Sequence, residues 1–294
     1  MSIGISHRIG LWISCALAVK DTNAFGGKLD LEKYSDDKVL FLHGQEYHPF
    51  NWNDKYDHLS HNGYHMLAIG IDEDAYTPRF TRSFFSDAEV DAYLKECIEY
   101  VHAHGGAICA AHPPVDYWAE YPIDAADREP MRPLSGEYIE KQWLLGGKVP
   151  VMNAVDLYGP RRPLDNPAIN FIYLKGEAPC RDSVVKAIKN RHTIAAAGFD
   201  EADITLNDYV PGDVVPKEEA AHGTLFVSAT VSQDTIRKIR VYSDEELIVS
   251  LEKNAPSISV EIPLESFSLG KFVRVEIEGK NEGWICNSTP FFLE

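Results

Sequence analysis

The sequence predicts an α/β domain over residues 1–197, followed by a small all-β domain over residues 198–294. Three observations carry that prediction. Ala107 to Ala111 is an uncharged apolar run held between Gly105-Gly106 and Pro113-Pro114, as expected of a buried parallel strand between breakers. A helix-like run from about Asp87 to His104 leads into those glycines, so helix and buried strand follow one another. After about Gly198 helical periodicity stops, and short alternating strands separated by turn signals take over.

The first apolar stretch is Ile9 to Val19, preceded by Arg8. It reads as a strand, which leaves the protein in the cytoplasm. The alternative is a signal segment of an exported protein, because Ala16-Leu17-Ala18 would suit a signal-peptidase site. A turn (Asn23 to Gly27) and a polar segment (Asp30 to Asp37) lead to a second strand, Val39 to Leu42, which runs into Gly44-Gln45-Glu46. Residues 49–63 are rich in Asn, Asp, His, Trp and Tyr, include His58 and His61, and read as a loop. In Tyr64-His65-Met66-Leu67-Ala68-Ile69 a histidine opens the third strand.

Ser86-Asp87-Ala88-Glu89 has the composition of a helix start, and Gly105 and Gly106 suit a left-handed helix end. Pro113 and Pro114 cannot continue a ladder, so the next strand stops at His112. An imidazole then sits at the carboxyl end of a buried strand, the edge where α/β proteins bind ligands. The structural alternative is a capping histidine satisfied by the backbone. His102 and His104 have metal-like spacing, but positions two apart on a helix point to different faces, so they are not a ligand pair.

Residues 114–136 read as a long loop. Ser135 to Leu145 reads as a helix with Trp143 as a packing residue, Val149 to Asp156 as the next strand, and Asp182 to Asn190 as an amphipathic helix. The later strands are Thr224 to Thr230, Lys238 to Tyr242, Leu247 to Leu251, Ser257 to Ile262 and Phe272 to Ile277, spaced as in an antiparallel β-sandwich.

The formal net charge of −17 repels phosphate backbones at long range, which argues against a nucleic-acid groove. A cation-lined pocket could still take a small phosphorylated molecule. No run is long enough to cross a bilayer, so no membrane partner is expected. The five cysteines form no CxxC pair and are odd in number, so no disulfide framework is expected. Nothing in the sequence sets the oligomeric state.

Strand–G-x-E, H-x-L-x-x-G and GG-x-x-x-x-AHP follow one another at Glu46, His65 and His112. In that order they resemble the middle of the polymerase and histidinol phosphatase (PHP) family of metal-dependent phosphoesterases. The resemblance covers roughly the first two-thirds of the chain. It implies a distorted (β/α)7-like barrel with up to three metal ions, and an appended β-domain is similar to that of some relatives. It also implies that Glu46, His65 and His112 hold a divalent ion, zinc or manganese first and iron as a further option, with Asp156 on a neighbouring position and acting in catalysis. Arg161 and Arg162 follow and could clamp a substrate phosphate or stand as surface charges.

The departures are large. The family's opening H-x-H strand is missing, Thr22 and Tyr158 stand where histidines are expected, and His7 stands alone. The chain is thus an N-terminally incomplete relative, a reduced one-metal site, or a degenerate site. The first expectation is hydrolysis of a small phosphate ester through metal-bound hydroxide. The alternatives are a catalytically inactive metal- or ligand-binding scaffold, and a carboxyl-ester or amide hydrolase.

Overall fold

The computed structural model describes residues 8–11, 40, 42, 44–47, 65–71, 87–113, 121–128, 133–153, 168–281 and 283–294. The apolar run at Ala107 sits in the middle of a five-stranded sheet. Its strands lie side by side in the order β2 (Gly44–Tyr47), β3 (Met66–Ile69), β4 (Ala107–Ala110), β5 (Ala125–Asp127) and β6 (Val151–Met152). β2, β3 and β4 pair antiparallel, whereas β4, β5 and β6 pair parallel.

Strand alternation gives this sheet two apolar faces. One carries Met66, Ala68, Ile108, Ala110 and Val151. It packs against Leu94, Ile98 and Val101 of helix α1 (Asp87–Ala103) and Ile139 and Trp143 of helix α2 (Pro133–Leu144). The other carries Leu67, Ile69, Cys109 and Met152, and meets Val184, Val185 and Ile188 of helix α3 (Arg181–Lys189). Gly105, at φ +75°, takes the left-handed conformation that closes α1 before β4 begins.

The barrel expectation is corrected: among the described residues the sheets are open. A (β/α) barrel needs a parallel neighbour on each side of every strand. Here β3 lies antiparallel to both β2 and β4, and β6 pairs with no further strand among the described residues. The loop expected over residues 114–136 is also corrected, because it holds β5 and the first turn of α2.

The second sheet has nine strands. Its main path runs β1 (Arg8–Leu11), β7 (Ala168–Tyr173), β8 (Thr193–Ala197), β16 (Ile285–Ser288), β15 (Phe272–Gly279), β12 (Ile236–Ser243) and β13 (Glu246–Ala255). β17 (Phe291–Leu293) joins β15 and pairs with β10 (Val214–Val215), which short helix α4 (Lys217–Ala221) follows. A three-stranded sheet of β14 (Ser257–Pro263), β11 (Thr224–Thr230) and β9 (Glu201–Leu206) shares one core with it, through Ile204, Val227 and Ile258 on one side and Ile239, Val275 and Cys286 on the other.

Backbone pairing continues across the point where the sequence changes texture: Ala196 in β8 is in register with Cys286 in β16. The smaller five-stranded sheet is tied to the same place. The Thr193 hydroxyl donates to the Val151 carbonyl at 2.7 Å, and the Val151 amide donates to the Thr289 hydroxyl at 3.1 Å. Among the described residues no helix is long and apolar enough to cross a membrane. Cys97, Cys109, Cys180 and Cys286 are free thiols.

Candidate functional site

β4 ends where the sequence requires, and the chain turns sharply at His112, whose φ is +34°. The turn lies beside the residue that precedes the antiparallel neighbour β3, because the Ala111 amide donates to the His65 carbonyl at 3.0 Å. Two histidines 47 positions apart therefore meet at one sheet edge. His65 Nδ1 lies 3.2 Å from His112 Nε2, with the rings edge-on at 76°. Each residue is 8% exposed.

Asp127, at the end of β5, is 2% exposed and accepts a long hydrogen bond of 3.4 Å from the His112 backbone amide. A buried carboxylate thus holds the turn that presents the imidazole. Sequence reasoning missed Asp127. Its signal was a carboxylate closing the short apolar pair Ala125-Ala126, too short for a period to stand out.

Glu46 lies in β2 with Leu67 of β3 as its Cα partner, two residues along β3 from His65. The register brings its strand to the same sheet as both histidines. Asp156, Arg161 and Arg162 lie outside the described residues, as do His7, His48, His58, His61 and Tyr158.

His102 and His104 serve other ends. His102 Nε2 lies 2.7 Å from Asp124 Oδ2, and the same oxygen accepts from the Ile108 amide at 2.8 Å, at the start of β4 and away from His112. His104 Nδ1 bonds the Tyr100 carbonyl at 2.7 Å.

Two nitrogens at about 2.05 Å from a tetrahedral ion lie about 3.3 Å apart. The 3.2 Å separation of the two imidazole nitrogens matches that spacing as well as it matches a direct hydrogen bond. Among the described residues no three His, Cys, Asp or Glu side chains are grouped to hold a metal ion. The spacing of the histidine pair is thus that of two nitrogen ligands in a tetrahedral site, and no third ligand stands with them among the described residues.

No family model matches the chain, and no curated protein matches it. One solved structure is similar: a two-domain protein containing a predicted PHP-like metal-dependent phosphoesterase from Bacteroides vulgatus ATCC 8482. It is 14% identical, the match covers 86% of this chain and 76% of that one, and the TM-score is 0.34. At that score the likeness carries no conclusion about this chain.

Proposed function

We propose that the chain is a metal-dependent hydrolase of the PHP type that acts on a phosphate ester of a small molecule. Glu46, His65 and His112 would hold one ion of the zinc or manganese class, with Asp156 beside it. One observation carries the reading: the convergence of His65 and His112 at a buried sheet edge, with their ring nitrogens at ligand spacing. The sequence motifs had singled out both residues for that role.

A divalent ion bound there supplies a lowered water pKa and neutralises charge on phosphoryl oxygens. The chain supplies the rest. The left-handed turn at His112 sets the direction of its ring, and Asp127 anchors that turn through the backbone. Burial of both imidazoles removes competing water, which strengthens any charge interaction made at this edge. Arg161 and Arg162 would grip the substrate phosphate with paired guanidinium donors.

The test begins with chelator-stripped full-length protein titrated with zinc or manganese. Bound metal is counted by mass spectrometry, and hydrolysis of phosphate esters and carboxyl esters is compared. The expected outcome is a single ion per chain and slow, metal-dependent release of phosphate. Metal binding without turnover would favour the scaffold, and faster cleavage of carboxyl esters would favour the other hydrolase. Unchanged metal content in both H65A and H112A variants would sink the site.

A further inference from the structure

We propose that Arg128 and Arg274 form a binding site for a small oxyanion, carboxylate or phosphate, between helix α2 and the nine-stranded sheet. Arg128 follows β5 directly and its amide still donates to the Met152 carbonyl at 2.8 Å, so strand alternation continues through it. Asp127 and Arg128 therefore serve opposite faces of the sheet: Asp127 the His112 turn, and Arg128 the side covered by α2. Arg274 comes from β15 and lies with its guanidinium 4.0 Å from the Tyr242 ring centre.

The two arginines converge on a single carboxylate oxygen. Arg128 Nη2 donates to Glu140 Oε1 at 2.9 Å, and Arg274 Nη2 donates to the same oxygen at 3.1 Å. Each leaves its Nη1 buried and, among the described residues, without a hydrogen-bond partner. The nearest ion-pair partner of Arg274 Nη1 is Glu276 Oε2, at 3.7 Å and beyond hydrogen-bond reach, and Glu276 is already engaged by Arg240. An unsatisfied buried N–H on a charged group is costly, and each of these two belongs to a guanidinium whose Nη2 already meets the other's at Glu140, so the pair calls for a further acceptor.

Among the described residues Arg240 holds Glu276 and Glu278, which leaves Glu140 as the one carboxylate that Arg128 and Arg274 both hydrogen-bond. Burial first, and then the like charge of Arg128, hold the Arg274 guanidinium below its usual pKa. The two cations are thus close enough to oppose one another, and a shared oxyanion would relieve both the repulsion and the missing hydrogen bonds. The Glu140 side chain is 36% exposed, which gives the cluster an edge on solvent.

The experiment is thermal melting of the metal-depleted full chain in sodium phosphate, sodium acetate or sodium chloride at matched ionic strength. An anion at about tenfold its dissociation constant should raise the midpoint by roughly 3 °C over chloride. The larger of the phosphate and acetate shifts identifies the ligand class. The shift should persist in H112A and disappear in R128Q and in R274M. Should R274M fail to fold, R128Q decides, because the Arg128 side chain keeps 15% exposure and is the milder loss. No shift over chloride, or an undiminished shift in R128Q, overturns the proposal. A shift lost in H112A but kept in R128Q overturns it too, since the anion would then sit at the histidine pair.

Discussion

The Ala111 amide donates to the His65 carbonyl at 3.0 Å, and this backbone bond extends the β3–β4 register that brings two imidazoles together. A slip of one residue between β3 and β4 would send every side chain to the opposite face. The site therefore depends on the packing of the strands behind it.

Ala110 tests that dependence. It is fully buried, in register with Met66 on one side and Ala126 on the other. Ala110→Asp puts an unpaired carboxylate between α1, α2 and the sheet, at a cost of about 3–5 kcal/mol. Urea unfolding should show that loss. A midpoint that hardly moves would mean that β4 is not a core strand.

The two kinds of histidine should separate cleanly. His112→Ala removes one of the two converging nitrogens, and most bound zinc should go with it. His102→Ala removes only the bond to Asp124, whose other partner, the Ile108 amide, remains. That should cost about 1 kcal/mol and leave metal content unchanged. Equal metal loss in both variants would place the ion elsewhere.

Where the chain was legible, short-range pattern sufficed. The run Ala107 to Ala111 could be read because it is uncharged and bracketed by breakers. β11 could be read because its residues alternate buried and half-buried along its whole length. Pairing partners were not legible. Nothing local tells Met66–Ile69 to lie antiparallel to β4 when β5 and β6 lie parallel, since that choice is made by contacts distant in sequence. The sheet that passes from β8 to β16 was hidden for the same reason. Thr193–Ala197 is a fully buried run with no period, and its partner lies near the far end of the chain. In the site, the two histidines announced themselves as polar residues at strand ends. Asp127 did not, because a three-residue strand carries no alternation to read.

Gly198 and Gly176 isolate steric crowding from backbone strain. Both have positive φ, +79° and +87°. A Cβ on Gly176 would meet nothing within 4 Å, so Gly176→Ala should cost only the left-handed penalty of about 1–2 kcal/mol. A Cβ on Gly198 would lie 2.3 Å from the buried Trp284 ring, so Gly198→Ala should cost at least about 2 kcal/mol more. The same packing should protect residues 198–202 in limited proteolysis, since the Asp200 amide is also bonded to the Thr230 carbonyl at 2.9 Å. Equal losses in the two variants, or a preferred cut at Gly198, would contradict this account.

Asp213 gives the fold a calculable acid sensitivity. Its carboxylate accepts from His192 Nε2 at 3.1 Å, from the Val210 amide at 2.9 Å, and from Lys175 Nζ at 3.0 and 3.1 Å. Burial alone would raise its pKa, but these donors outweigh burial and hold it at about 2, against 3.8 for the ordinary group. A folded-state pKa below the unfolded one stabilises the protein above the unfolded value, and the effect fades as pH falls through the folded value. The carboxylate should therefore contribute about 2 kcal/mol at pH 7, and progressively less from about pH 4 down to about pH 2. Urea unfolding of the wild type and of D213N at neutral pH and toward pH 3 measures this. The gap between the two proteins should be widest at neutral pH and narrow on acidification. A gap that stays constant across that range would mean that the ionised carboxylate is not what ties His192, Lys175 and the Val210 turn together.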